Sequence, residues 1–305
     1  MGTLINGMAL HGGLIPFGAT FFVFADYERP ALRLSAMQKL RVLHIFTHDS
    51  FFVGEDGPTH QPIEHLASLR AIPNLLVIRP ADANETSVAI KIALKERKRP
   101  TALVLTRQKL PVLDRTMYPS AELLGKGAYI IYGDENEKPD VIIIATGSEV
   151  HLALETAKSF SEIKVRVVNM PSAELFEMQN EEYKNRILPP QISARLTIEA
   201  GSTFGWHKYA GSRGIVYGID HYGNSAPGGV LQEAYGFTVK NMVKIIKEKI
   251  LVLRKMELGS SRSSNNKLFG FLSSALLQLI CQTPKFPGNY GFSITPINIS
   301  IIIVF

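Results

Sequence analysis

The feature that most constrains this chain is a rhythm. Between residues 20 and 107, short apolar runs rich in β-branched and aromatic residues alternate with stretches of helical period. "TFFVF" (20–24) reads as a strand and "YERPALRLSAMQKL" (27–40) as a helix with Pro30 in its first turn, where a missing N–H costs little. "VLHIFTH" (42–48), "LLVIRPA" (75–81) and "TALVLTR" (101–107) read as further strands, with helical patterns over 61–72 and 83–97 between them. Strands that alternate with helices predict a parallel α/β sheet, because each crossover helix returns the chain to the same end of the sheet.

The rhythm pauses over "KLPVLDRTMYPSAELLGKGAY" (109–129), whose two prolines and two glycines mark a linker. It resumes in "DVIIIATGSEVHLALETAKSF", a near-continuous apolar strand, a Gly-Ser turn with Ser148 as N-cap, and a helix. "KVRVVNM" and "RLTIEAG" read as buried strands and "VKNMVKIIKEKI" as a closing helix. The expected fold class is α/β with two parallel-sheet domains, a first over 1–118 and a second over 119–256. "LGSSRSSNNK" then opens a segment without helix or strand rhythm, 257–305, which reads as an atypical, poorly ordered tail. Its apolar end, "SIIIVF", would be an aggregation liability, and membrane association of this tail is the alternative.

Composition narrows the classes of function. The 305 residues, 46% apolar and 20% charged, suffice for two soluble domains with substantial cores. The net charge of +6 is spread thinly, with one dense basic run, "KERKRP" (95–100), and no stacking aromatics beside it. That pattern reads as a solvated helix end and argues against a nucleic-acid binder. A single cysteine, Cys281, excludes an internal disulfide. "MGTLINGMALHGG" shows no signal-peptide pattern, and the apolar run near 268–280 is shorter than a bilayer-spanning helix. A cytoplasmic enzyme, with neither nucleic acid nor membrane as partner, is the expectation.

Its chemistry is concentrated in one loop. "THDSFFVGEDGPTHQ" (47–61) holds His48 and His60, Asp49, Glu55 and Asp56, two glycines and a proline. Three readings compete. The loop can be a polar surface connection. It can be a metal site, since imidazole and carboxylate are good ligands, but the twelve-residue spacing of the histidines fits no ligand motif. Or it can be an enzyme loop at the carboxyl end of a parallel strand, where open α/β sheets bind their ligands. Position in the architecture favours the third, with imidazoles and a carboxylate moving protons and bonding a polyol. Upstream, Phe21, Phe22, Phe24 and Tyr27 crowd a strand-to-helix junction, either as core or as an apolar wall for a flat ring. Arg107, at the end of "TALVLTR", is either a salt-bridge partner or a bidentate grip on phosphate.

"FFVFADYERPALRLSAM", "THDSFFVGEDGPTHQPIEHLASLRAIPNL" and "ALVLTRQKLP" together resemble transketolase, over residues 1 to about 250. Transketolases are thiamine-diphosphate enzymes that move two-carbon ketol units between sugar phosphates. Related deoxyxylulose-phosphate synthases differ where Glu55 stands, and dihydroxyacetone synthase remains an alternative. The resemblance implies that Phe24 packs on the cofactor's aminopyrimidine ring, with Phe21 and Tyr27 completing the wall. It gives His48 and Arg107 to the sugar phosphate and Asp56 to a donor hydroxyl. His60 would meet the carbonyl or hydroxyl oxygen as charge develops. The residues from 130 to 256 would be the family's C-terminal domain, structural or regulatory.

The same resemblance implies parts that this chain does not hold. In the family a glutamate about two dozen residues before the aromatic wall bonds the pyrimidine nitrogen and drives the amino–imino switch that forms the reactive ylide. Counting back from Phe21 places it before Met1. The preceding domain, which binds the diphosphate through magnesium and a Gly-Asp-Gly motif, has no counterpart here, so no metal ligands are assigned to this chain. The expectation is a chain that is inactive alone. It would work as one half of a homodimer or beside an N-terminal transketolase half, or persist as a truncated remnant that dimerises without binding cofactor.

Overall fold

The chain begins with a helix that its periodicity does not announce. In α1 (Gly2–His11), Ile5 and Asn6 are buried, and the Asn6 amide donates to the Ala31 carbonyl at 2.9 Å. Next come β1 (Phe17–Phe21), α2 (Ala25–Met37), β2 (Leu43–Thr47), α3 (His65–Arg70), β3 (Leu76–Ile78), α4 (Ala83–Lys95) and β4 (Thr101–Val104). The four strands form one parallel sheet in the order β1-β2-β4-β3. Every residue of β3 and β4 is buried, as expected where helices cover both faces of a parallel sheet. Phe22, Leu32, Phe46, Leu66 and Leu69 fill one face, and Leu43, Leu76, Ile78, Val88, Leu103 and Leu124 the other. The model is a computed structural model that describes residues 1–251. The expectations for the tail at 257–305 lie outside the described residues.

The second half contains β5 (Tyr129–Tyr132), β6 (Val141–Ala145), α5 (Glu149–Lys158), β7 (Val165–Asn169), α6 (Ala173–Glu177) and α7 (Glu181–Ile187). After these come β8 (Arg195–Ile198), α8 (His207–Ala210), β9 (Ile215–Tyr217), α9 (Gly228–Ala234) and α10 (Val239–Ile245). The order is β5-β7-β6-β8-β9, parallel except that edge strand β5 runs against β7. The two halves share a core: Phe51, Ile63 and Ala81 lie in the same apolar cluster as β6 and α5.

Several elements differ from their sequence reading. "TFFVF" is not one strand. The strand ends at Phe21, and Phe22–Phe24 forms a 3₁₀ turn into α2. A strand would place Phe22 and Phe24 on one face; the turn separates them, leaving Phe22 fully buried and Phe24 38% exposed. Because α2 starts at Ala25, Pro30 falls in its second turn and removes one backbone bond. Ser148 stands at the N-cap of α5 in helical φ/ψ and makes no cap bond; its hydroxyl donates to Glu149 Oε1 at 2.6 Å. The stretch 109–129 is an ordered connection whose 3₁₀ segment Ala121–Lys126 buries Leu124 beside α4. The basic run 95–100 does lie at the end of α4, with Arg97 and Lys98 exposed and Arg99 paired to Glu96 at 3.0 Å. No helix among the described residues is long and apolar enough to cross a membrane.

Candidate active site

β1, β2 and β4 are successive neighbours, so their carboxyl ends form one edge of the first sheet. Phe21 closes β1, in register with Thr47 at the end of β2. His48 follows Thr47, and Arg107 lies three residues beyond Val104, past the end of β4 rather than within it. The edge is thus built by topology, at the place where open parallel sheets bind ligands.

The aromatic residues form a continuous chain of rings. His48 stacks on Phe21 with centroids 3.8 Å apart, and Phe21 lies in stacked orientation 6.3 Å from Phe24. Phe24 meets Tyr27 at 6.1 Å and His60, edge-on, at 5.9 Å. Phe21, Phe24 and Tyr27 are 36%, 38% and 85% exposed, while Phe22 alone of the four belongs to the core. The wall is therefore an open apolar face between two imidazoles.

The imidazoles are held in similar ways. His48 Nδ1 is 3.0 Å from Thr47 Oγ1, and His60 Nδ1 is 2.9 Å from Thr59 Oγ1. Each Nε2 is left without a hydrogen-bond partner among the described residues. His48 adopts φ 64°, a left-handed conformation that is uncommon outside glycine and clusters at functional sites. Burial, then the Arg107 guanidinium, hold its pKa below the ordinary histidine range against the opposing pull of Asp56 and Asp49. Arg107 and Asp56 thus both act on the charge of His48, with opposite sign. Arg107 is exposed and makes no ion pair among the described residues.

The loop's other acids separate. Asp49 is 1% exposed and accepts from Arg79 Nε at 2.8 Å; the same guanidinium bonds the Thr146 carbonyl at 2.9 Å and the Glu149 carboxylate. The Glu55 side chain is exposed, and its carbonyl accepts from the Ser225 hydroxyl. Gln61 donates to the carbonyls of Gly54 (2.8 Å) and Asn224 (2.9 Å), and Gly54 (φ 85°) faces the backbone of Ala226 and Gly228. Phe51 is fully buried against Tyr235 and Phe237, which stabilises the anchorage by about 1.5–3 kcal/mol. The clasp formed by 224–228 escaped the sequence reading, since "NSAPG" shows only a turn composition and nothing that marks its partner.

Comparison with known proteins agrees with this geometry. Residues 1–112 match the family model "Transketolase, pyrimidine binding domain" and residues 127–238 match "Transketolase-like TK C-terminal domain". The chain is 54% identical over 251 residues to a transketolase of Aquifex aeolicus, covering 82% of this chain and 36% of that protein. It is 55% identical over 249 residues to one of Bacillus subtilis, covering 81% and 37%. Among solved structures, transketolase from Leishmania mexicana superposes with TM-score 0.77 at 43% identity, over 82% of this chain and 36% of that one. A split-gene transketolase described as an inactive beta4 tetramer superposes with TM-score 0.66 at 27% identity, over 82% and 80%. The chain spans little more than a third of the length of the curated relatives it matches. With both domain models, these identities and the shared fold in agreement, the chain belongs to the transketolase family, of which it carries the pyrimidine-binding and C-terminal domains.

Proposed function

We propose that this chain supplies the pyrimidine-facing and substrate-facing side of a transketolase that transfers a two-carbon ketol unit between sugar phosphates, with thiamine diphosphate and magnesium. The observation that carries the reading is the exposed ring face of Phe21, Phe24 and Tyr27, flanked by two imidazoles with unpartnered Nε2 atoms and by Asp56 and Arg107. Such a face fits a flat aminopyrimidine by offset stacking. When bound, thiamine diphosphate supplies the electron sink that ketol transfer requires.

The chain's own residues do the rest. Phe24 is the platform, with Phe21 and Tyr27 beside it. Arg107, which makes no ion pair among the described residues, presents a planar fork to a phosphate. Burial and Arg107 favour the neutral form of His48, which offers Nε2 beside that fork. Asp56 accepts a hydroxyl of the donor sugar and so selects its configuration. His60 meets the reacting oxygen through Nε2, where it stabilises developing charge or carries a proton.

In this reading residues 1–118 are the pyrimidine-binding domain and 119–256 the C-terminal domain of a cytoplasmic enzyme. The groups that bind diphosphate and magnesium, with the activating glutamate, would come from a further transketolase segment, in a homodimer or from a separate N-terminal half. The split-gene relative supports the latter arrangement, and its inactive tetramer supports an alternative in which this half assembles without catalysing.

Calorimetric titration of the 305-residue chain with thiamine diphosphate and magnesium tests the proposal, alone and with an N-terminal transketolase domain extended through the glutamate. Saturable binding that appears only in the mixture, followed by ketol transfer, is expected. Micromolar binding by the chain alone would remove the need for a complement. Binding in neither case would favour the non-catalytic assembly.

A further inference from the structure

Beneath the ring wall lies a group of side chains that ketol transfer does not use. His65, the first residue of α3, is only 4% exposed, and its ring packs on Phe22 with centroids 5.5 Å apart. Its Nε2 lies 3.3 Å from Asp26 Oδ2 and its Nδ1 3.9 Å from Glu64 Oε2, yet neither nitrogen makes a hydrogen bond. Asp26 stands in the first turn of α2 and Glu64 immediately before α3. Their side chains are 56% and 53% exposed and pair with no other cation among the described residues. One ligand atom from each of the three lies within 4.8 Å of the others.

A buried imidazole without a hydrogen bond requires an explanation, because such groups are nearly always satisfied in folded proteins. A simple His–Asp pair would satisfy Nε2 if it were aligned, and here it is not. A cation between the three groups would satisfy one ring nitrogen and both carboxylates together. One imidazole and two carboxylates form a donor set suited to zinc and its first-row neighbours, whereas magnesium and calcium favour oxygen ligands alone. Metal–ligand bonds of about 2.0–2.2 Å in tetrahedral geometry place ligand atoms roughly 3.3–3.5 Å apart. The Nε2–Oδ2 separation of 3.3 Å already meets that spacing, and the exposed Glu64 carboxylate, which now lies 3.9 Å from the other ring nitrogen, would have to change rotamer to join it.

We propose that Asp26, Glu64 and His65 form a binding site for a divalent first-row transition ion, with zinc the best fit and a fourth position left to water. The ion is distinct from the magnesium that accompanies thiamine diphosphate. It would clip the start of α2, which carries Tyr27, to the entry of α3 that follows His60. The two edges of the ring wall would thereby be held in one register.

The test needs neither cofactor nor activity. The chelator-treated 305-residue chain is titrated with Co²⁺, followed by its ligand-field absorption, then with competing Zn²⁺, and melted with and without Zn²⁺. One equivalent of Co²⁺, its displacement by Zn²⁺ and a higher Tm with Zn²⁺ are expected. Asp26→Asn and Glu64→Gln replace exposed carboxylates by neutral amides of the same shape and leave the core intact. Each is expected to weaken binding by about tenfold or more, the scale on which even outer partners of metal ligands act. The double variant is expected to lose the Tm shift. Absence of saturable binding would overturn the site, as would unchanged affinity in the double variant, which would place the ion on other histidines. Displacement by equimolar Mg²⁺ would overturn the donor-set argument.

Discussion

His48 and Asp49 are adjacent in the chain and leave the loop in opposite directions, one toward the ring wall and one into the interior. The difference has measurable consequences. The folded-state pKa of His48 lies below its ordinary value of about 6.5 because burial and Arg107 disfavour the imidazolium. Between the two values the unfolded chain binds more protons, so the contribution of His48 to stability is present above pH 6.5 and lost as pH falls toward the folded pKa. NMR titration of the His48 ring is expected to give a value below 6.5. Arg107→Gln should move that value up, and Asp56→Asn should move it further down; a value insensitive to both would place these charges away from His48. Asp49 belongs instead to Arg79, whose guanidinium is fully buried and bonded to Asp49, Thr146 and Glu149. Burial works against that charge, and the two carboxylates outweigh it. Arg79→Met would leave two buried acids without their cation and is expected to destabilise the fold by about 3–5 kcal/mol in urea unfolding. A loss under about 1 kcal/mol would mean that water reaches the cluster.

At the scale of elements, the loop 47–61 keeps its shape by being gripped from the second half. Gly54 adopts φ 85°, and a Cβ there would stand 3.6 Å from the Ala226 carbonyl oxygen, an ordinary contact. The penalty for Gly54→Ala is therefore conformational, since φ 85° with ψ −126° is glycine's territory, and a loss of roughly 1–3 kcal/mol is expected from thermal or urea unfolding. A neutral substitution would show that the 3₁₀ turn can shift. The position of Phe24 has a similar origin. Apolar content announces a strand through "TFFVF", but burying Phe22 while presenting Phe24 to solvent requires the chain to turn after Phe21.

Across the whole of the described chain, polar pairs join the halves alongside apolar burial. Arg70 grips Glu199 through two hydrogen bonds of 2.8 and 2.7 Å, and its guanidinium lies 5.4 Å from the ring centre of Trp206. Glu85 bonds Tyr129 at 2.6 Å and Asn169 at 2.7 Å, and the buried Arg79 meets Glu149 across the same boundary. Burial raises the Glu85 pKa, and the Tyr129, Ala81 and Asn169 donors oppose that rise. With so many buried groups partnered across the boundary, the halves are expected to unfold together. Fluorescence of Trp206, the only tryptophan, and far-UV circular dichroism should give coincident urea midpoints. Separate midpoints would show two independently stable domains.

By itself the sequence determined the alternation of strand and helix, the parallel first sheet, and the residue types gathered at its carboxyl edge. Those follow from side-chain periodicity and short motifs, which are local. Only the tertiary structure decided which acid of the loop faces inward, that Arg107 makes no ion pair among the described residues, and that His65 lies between Asp26 and Glu64. It also decided that a turn 163–170 residues away, at Asn224 and Ser225, clasps the loop. No pattern in either segment encodes that pairing. Partners so far apart in the chain meet only because Phe51 and Ile63 of the first half are buried in the apolar cluster of β6 and α5, and the polar groups trapped at that junction must then find one another.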